Sequence, residues 1–130
     1  MRAALCPRDP NPLRAELYAL NLYLYGGHFT RHKDTPRGSD MVGSLVVELG
    51  PPYKGGELVA CHRGVTEVFR WGGKRYKEPG ERAGWAAFFG DVDHEVGRVL
   101  SGERVTLTYT LRRGGGSGAR TSPPRRCDRG

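Results

Sequence analysis

No stretch of this 130-residue chain stays apolar for the roughly 20 residues that a membrane-spanning helix requires, and its N-terminus lacks the continuous apolar run of a signal peptide. Both absences predict a soluble, intracellular protein of the cytoplasm or nucleus. Cysteine is scarce: Cys6, Cys61 and Cys127 form no C-x-x-C pair, and an odd number cannot complete a secretory disulfide framework. A reducing compartment fits that usage. No basic strip is interleaved with stacking aromatics, so the net charge of +7 reads as solvated charge, and neither specific nucleic-acid nor membrane binding is expected. Four arginines of that surplus, Arg120, Arg125, Arg126 and Arg129, fall after Gly114. No internal repeat is visible.

What the chain does hold is glycine and proline, 20 and 9 residues respectively, which favour turns over long helices. Its length allows one domain. Residues 1–13, broken by Pro7, Pro10 and Pro12, form an irregular lead-in; residues 14–113 form the domain; residues 114–130, with no aliphatic side chain larger than Ala119, form a disordered basic tail. Within the domain, short extended runs are expected at 17–25, 29–34, 43–49, 57–62, 66–71, 85–89, 94–99 and 104–112, separated by turn residues and by a polar loop at 72–84. About eight short strands predict an all-β chain, a jelly-roll or related double-sheet barrel with minimal flanking helix.

In a strand, residues two apart face the same way, so His32 and Asp34 project together while Lys33 points away. In a helix the pair would diverge by roughly 200°. His94, on another strand, adds a third ligand, giving two imidazoles and one carboxylate. That donor set suits non-haem Fe(II) with open coordination positions, and zinc hydrolases also use it. Arg104 separates the two: it opens a strand in which Arg104, Thr106, Thr108 and Thr110 share one face and the apolar residues share the other. A guanidinium fork inside a barrel holds a carboxylate through two hydrogen bonds, so a metal and a fixed cation in one pocket suggest a dicarboxylate between them.

The chain resembles the prolyl-4-hydroxylase-like branch of the Fe(II)/2-oxoglutarate-dependent dioxygenases. The matching text runs from Leu22-Tyr23-Leu24-Tyr25-Gly26-Gly27-His28-Phe29 into His32-Lys33-Asp34-Thr35, then Gly55-Gly56-Glu57-Leu58, then Trp85 to Phe89 through Asp93-His94-Glu95-Val96, and ends with Gly102-Glu103-Arg104 through Tyr109. The resemblance implies a double-stranded β-helix with iron held by His32, Asp34 and His94, and no catalytic residue beyond those ligands. It implies 2-oxoglutarate paired with Arg104, beside Thr106, and contacted by Tyr23, nine residues before His32. It also implies O2 as second co-substrate, ascorbate as a supporting reductant, and hydroxylation coupled to decarboxylation of 2-oxoglutarate to succinate and CO2. The substrate is not named by it; a prolyl residue in a protein is one candidate.

Other residues read as structural. His28 lies four before His32, but no Glu completes a His-Glu-x-x-His pattern. Cys61 and His62 are adjacent and face opposite ways on a strand. Asp91 shapes a turn, Trp71, Trp85, Phe88 and Phe89 are core or rim aromatics, and Lys33 and Arg37 are solvated charges bordering the mouth. The apolar face opposite Arg104 requires a cover, supplied by the N-terminal segment, a partner chain or N-terminal helices this sequence lacks. The alternative to an enzyme is an inactive jelly-roll binding module whose basic tail meets an anionic partner.

Overall fold

The computed structural model describes residues 12–50, 52–72 and 84–114. These form ten strands: β1 (Leu13–Tyr23), β2 (Phe29–His32), β3 (Met41–Leu49), β4 (Lys54–Gly55), β5 (Leu58–His62), β6 (Val65–Phe69), β7 (Trp85–Phe89), β8 (Asp93–Val96), β9 (Val99–Ser101) and β10 (Arg104–Arg113). Every pairing is antiparallel. One four-stranded sheet runs β1-β10-β3-β7, a second runs β2-β8-β5-β6, and β4 and β9 form a ribbon. The chain is all-β as expected, with no helix among the described residues and hence none there able to cross a membrane.

Nine of these strands correspond to the eight expected runs. The run at 94–99 divides into β8 and β9 because Gly97 leaves the ladder, its amide instead donating to the Glu57 carbonyl at 2.9 Å. The two-residue β4 is defined only by its partner β9. Most of the lead-in, most of the 72–84 loop and the tail beyond Gly114 lie outside the described residues.

The two larger sheets pack face to face. Val46, Ala86 and Phe88 from the first meet Leu58, Ala60, Phe69 and Val96 from the second, with Trp71 and Val92 closing the cluster. Burying a side chain such as Phe88 or Leu58 contributes about 1.5–3 kcal/mol. This layer holds the sheets together at one end of a polar interior.

The polar interior comes from β10, which turns its polar face inward. Arg104, Thr106 and Thr110 are each 1% exposed, and the register sets Thr106 opposite Glu48 and Thr110 opposite Ser44, both also buried. Alternation therefore sends Val105, Leu107 and Tyr109 to the outer face. Their β1 neighbours there include Leu20, 66% exposed, and Leu22. Among the described residues Leu20 and Leu22 stay exposed there, while Leu111 is buried in a cluster with Ala87, Leu45 and Trp85. An inward polar face forgoes apolar burial, so its value lies in what it binds.

Between β1 and β2 the chain reverses at Gly26, whose φ of 78° lies in the left-handed region where glycine is unstrained. Its amide donates to the Val99 carbonyl at 2.8 Å, and the Val99 amide donates back to the Gly27 carbonyl at 3.0 Å. This clasp fixes where β2 starts, and so where His32 lies.

Candidate metal centre

His32 ends β2, and the register of β2 against β8 places it directly opposite His94. Asp34 lies two residues on, past the end of the strand rather than on it, yet its carboxylate turns to the same side: Asp34 Oδ1 is 3.3 Å from His94 Nε2. Each of the three residues offers a ligand atom, and these atoms lie within 4.8 Å of one another. Among the described residues this is the one His/Cys/Asp/Glu group of that kind.

Local contacts aim the rings. His32 Nδ1 is 2.7 Å from the Thr30 carbonyl, and His94 Nδ1 is 3.1 Å from the Val92 carbonyl. A carbonyl can only accept, so each Nδ1 carries the proton, and each Nε2 keeps its lone pair for a metal. Packing fixes the ring planes: the His32 and His94 centroids are 4.2 Å apart, Phe29 lies 4.1 Å from His32, and buried Phe88 lies 4.6 Å from His94. Asp34 is oriented by a hydrogen bond from Ser44 Oγ on β3.

The charges follow. Burial raises the Asp34 carboxyl, but hydrogen bonds with His94 and Ser44 and the charges of His94 and Arg37 outweigh it, leaving the group below its ordinary range. Burial lowers His94, and the Asp34 carboxylate with the Val92 carbonyl outweighs that, leaving it above the usual histidine value. When His94 is protonated, the two form an ion pair. A dication takes the place of that imidazolium proton, and two imidazoles with one carboxylate suit a divalent first-row metal.

The other candidates lie apart. Asp93 faces away from His94 and is bound by Lys33 Nζ at 2.7 Å and Arg31 Nη2 at 3.4 Å. Its carboxyl is lowered chiefly by the Lys33 hydrogen bond. Asp91 is exposed, 3.9 Å from His62 Nε2; His28 is exposed beside the Gly26 carbonyl; Cys61 Sγ accepts from Thr66 Oγ1 at 3.5 Å. Lys33 is thus engaged at the surface. Arg37 is not free: it stacks 3.9 Å over Tyr18 and donates through Nε to Thr110 at 3.0 Å.

At the far end of β10, Arg104 is fully enclosed, and its Nε and Nη2 have no hydrogen-bond partner among the described residues. Tyr23 lies with its ring 5.1 Å from the guanidinium carbon. Burial raises the Tyr23 hydroxyl, an effect the Arg104 charge partly offsets. Gly56, at a φ of +62°, leaves room for the arginine stem: a Cβ there would lie 3.0 Å from Arg104 Cδ. Leaving two buried guanidinium nitrogens without partners costs a few kcal/mol, so the pocket fits an anionic group reaching Nε and Nη2 together. Thr106 lies beside it on the same inner face.

Sequence reasoning missed Ser44, Glu48, Tyr53 and Asn21. Glu48 and Tyr53 are both buried, and the Tyr53 hydroxyl, raised first by burial and then by Glu48, also faces Arg104. Ser44-Leu45-Val46-Val47-Glu48 carries a signal in retrospect, since a period of two sets Ser44 and Glu48 on one face with Val46. Tyr53 sits in a Pro/Gly turn with no such signal.

No family model matches the chain, and no curated protein does. Among solved structures it is similar to an oxidoreductase of the 2OG-Fe(II) oxygenase family from Burkholderia pseudomallei, with a TM-score of 0.58 and 27% identity over 78% of this chain and 44% of that one. It is also similar to a Pseudomonas putida prolyl-4-hydroxylase, with a TM-score of 0.53 and 30% identity over 74% of this chain and 51% of that one. The chain spans about half the length of the solved structures it matches. In fold, and at 27–30% sequence identity over about three quarters of its length, this chain is similar to a 2OG-Fe(II) oxygenase family oxidoreductase and to a prolyl-4-hydroxylase.

Proposed function

We propose that this chain is an Fe(II)- and 2-oxoglutarate-dependent dioxygenase built on a double-stranded β-helix. One observation carries the reading: a two-histidine, one-carboxylate set shares an interior with a buried guanidinium that has two unpartnered nitrogens. His32, Asp34 and His94 hold the metal, and Arg104 receives the distal carboxylate of 2-oxoglutarate, flanked by Tyr23 and Thr106. When bound, iron with 2-oxoglutarate and O2 supplies oxidative decarboxylation to succinate and CO2 coupled to hydroxylation of a substrate C–H bond. The chain's own residues orient and exclude water. The Nδ1–carbonyl bonds fix both imidazoles, Ser44 fixes the carboxylate, and Phe88 with Val46 closes the interior on the core side. Similarity to the Pseudomonas putida protein makes a prolyl residue in a protein the first substrate to try.

The test is an anaerobic titration. Fe(II) with 2-oxoglutarate, and ascorbate to keep the iron reduced, is expected to give a metal-to-ligand charge-transfer band, and admission of O2 is expected to give succinate. Absence of the band in folded protein overturns the site; a band with no succinate, even with prolyl peptides, favours a binding module.

A further inference from the structure

Asn21 lies on the inner face of β1, directly opposite Thr106. Its Nδ2 is 3.3 Å from Thr106 Oγ1 and 2.8 Å from Thr108 Oγ1. One amide nitrogen with two protons thus serves two hydroxyl oxygens. A hydroxyl that accepts through a lone pair still has its own proton to donate. The two threonines stand on β10 between Arg104 and Thr110, and Thr110 opposes Ser44, which holds the metal ligand Asp34. They therefore span the interval between cation and metal. Their neighbours differ: Thr106 stands opposite Glu48, a carboxylate, whereas Thr108 stands opposite Ala19 and Val46, whose side chains accept nothing.

We propose that Asn21 is a positioning residue for the co-substrate: by donating to Thr106 and Thr108 it commits the Thr108 hydroxyl proton to an anionic ligand lying between the metal ligands and Arg104. Asn21 itself does not touch the ligand. The proposal rests on the 2-oxoglutarate reading above. It adds a donor that shapes the middle of the pocket, where a dianion passes through an otherwise apolar stretch formed by Val46 and Ala19.

The test is a double-mutant cycle on the full chain with Fe(II), reading the dissociation constant of 2-oxoglutarate anaerobically from the charge-transfer band. Asn21→Ala and Thr108→Val are each expected to weaken binding about tenfold, the size of one hydrogen bond to a charged group. The double variant is expected to be no weaker than the worse single one, because Asn21 acts through Thr108. Affinity for Fe(II) alone stays within about twofold, and melting temperatures report folding. Unchanged binding in Asn21→Ala, or losses that multiply in the double variant, overturn the proposal. Should the alanine variant fail to fold, Asn21→Asp, equal in shape but unable to donate, takes its place in the cycle with the same expectation of non-additivity. A wild-type protein that binds Fe(II) yet gives no band overturns the dioxygenase reading itself; a normal wild-type band with an unaffected Asn21 variant overturns only the role of Asn21.

Discussion

At the metal end of the interior the protein already supplies a partner for each buried polar side chain, whereas at the Arg104 end two guanidinium nitrogens are left without one among the described residues. The ends therefore bind in different ways. On the proposed reading, a metal would take the Nε2 position that faces Asp34, competing there with the His94 proton, so the ligand set is prearranged. On the same reading, co-substrate binding would instead relieve a standing cost, because Nε and Nη2 of Arg104 would gain the partners they lack among the described residues. A change at one end is expected to leave the other largely intact.

The sharpest break of that comparison is His32→Ala. It removes one of the three proposed ligands, so the loss of Fe(II) affinity should exceed the 10–100-fold that loss of a merely supporting partner costs. Calorimetric titration checks it, and a loss under tenfold would detach His32 from the metal. Folding should persist, since His32 stands outside the core cluster.

Arg104→Met probes the other end and should affect two quantities differently. Losing two charge-assisted hydrogen bonds, about 1.5 kcal/mol each, predicts roughly 100-fold weaker 2-oxoglutarate binding with Fe(II) affinity retained. Removing a buried cation with two unpartnered nitrogens predicts that the ligand-free protein loses little stability, because the relief of that cost offsets the loss of the Arg104–Tyr53 contact. Chemical denaturation measures the second effect. A ligand-free variant destabilised by several kcal/mol would mean that Arg104 is already satisfied and that the contrast between the ends is not real.

The two ends also differed in how far the sequence revealed them. Arg104 was legible because β10 alternates cleanly, with Arg and Thr residues on one side and Val, Leu and Tyr on the other, and Trp85–Phe89 was legible as a short apolar run. The His32–Asp34 spacing pointed to the ligand set, although Asp34 reaches the site from beyond the strand rather than on it. What supports these residues was hidden. Ser44, Asn21 and Glu48 matter because β3, β10 and β1 lie side by side in one register, and register is a long-range property that no local window contains. The same holds for β4, whose two residues are extended only because β9 pairs with them.

Ser44→Ala makes a smaller change at the metal end. Asp34 loses an oriented donor, so its carboxyl should rise toward its ordinary value and Fe(II) affinity should fall about tenfold. Binding of 2-oxoglutarate to the metal-loaded variant should change less than twofold. A larger effect on the co-substrate than on the metal would show that Ser44 belongs to both ends.

The subtlest expected effect is a pH dependence whose sign differs between the metal-free and metal-bound protein. His94 sits above its ordinary 6.5, so its pairing with Asp34 contributes fully below pH 6.5 and is lost as pH rises through the folded value. Asp34 sits below its ordinary 3.8, so its contribution is present above that pH and is lost as pH falls through the folded value. Metal-free protein should therefore gain most from the pair between about pH 4 and 6.5. The difference in melting temperature between wild type and His94→Asn should shrink as pH rises from 6.5 to 8.5. Fe(II) affinity should move the other way, falling toward tenfold per pH unit below the His94 pKa as the proton competes for Nε2. If metal-free stability and metal affinity instead rise together across that interval, then the proton the metal displaces is not the one shared by His94 and Asp34.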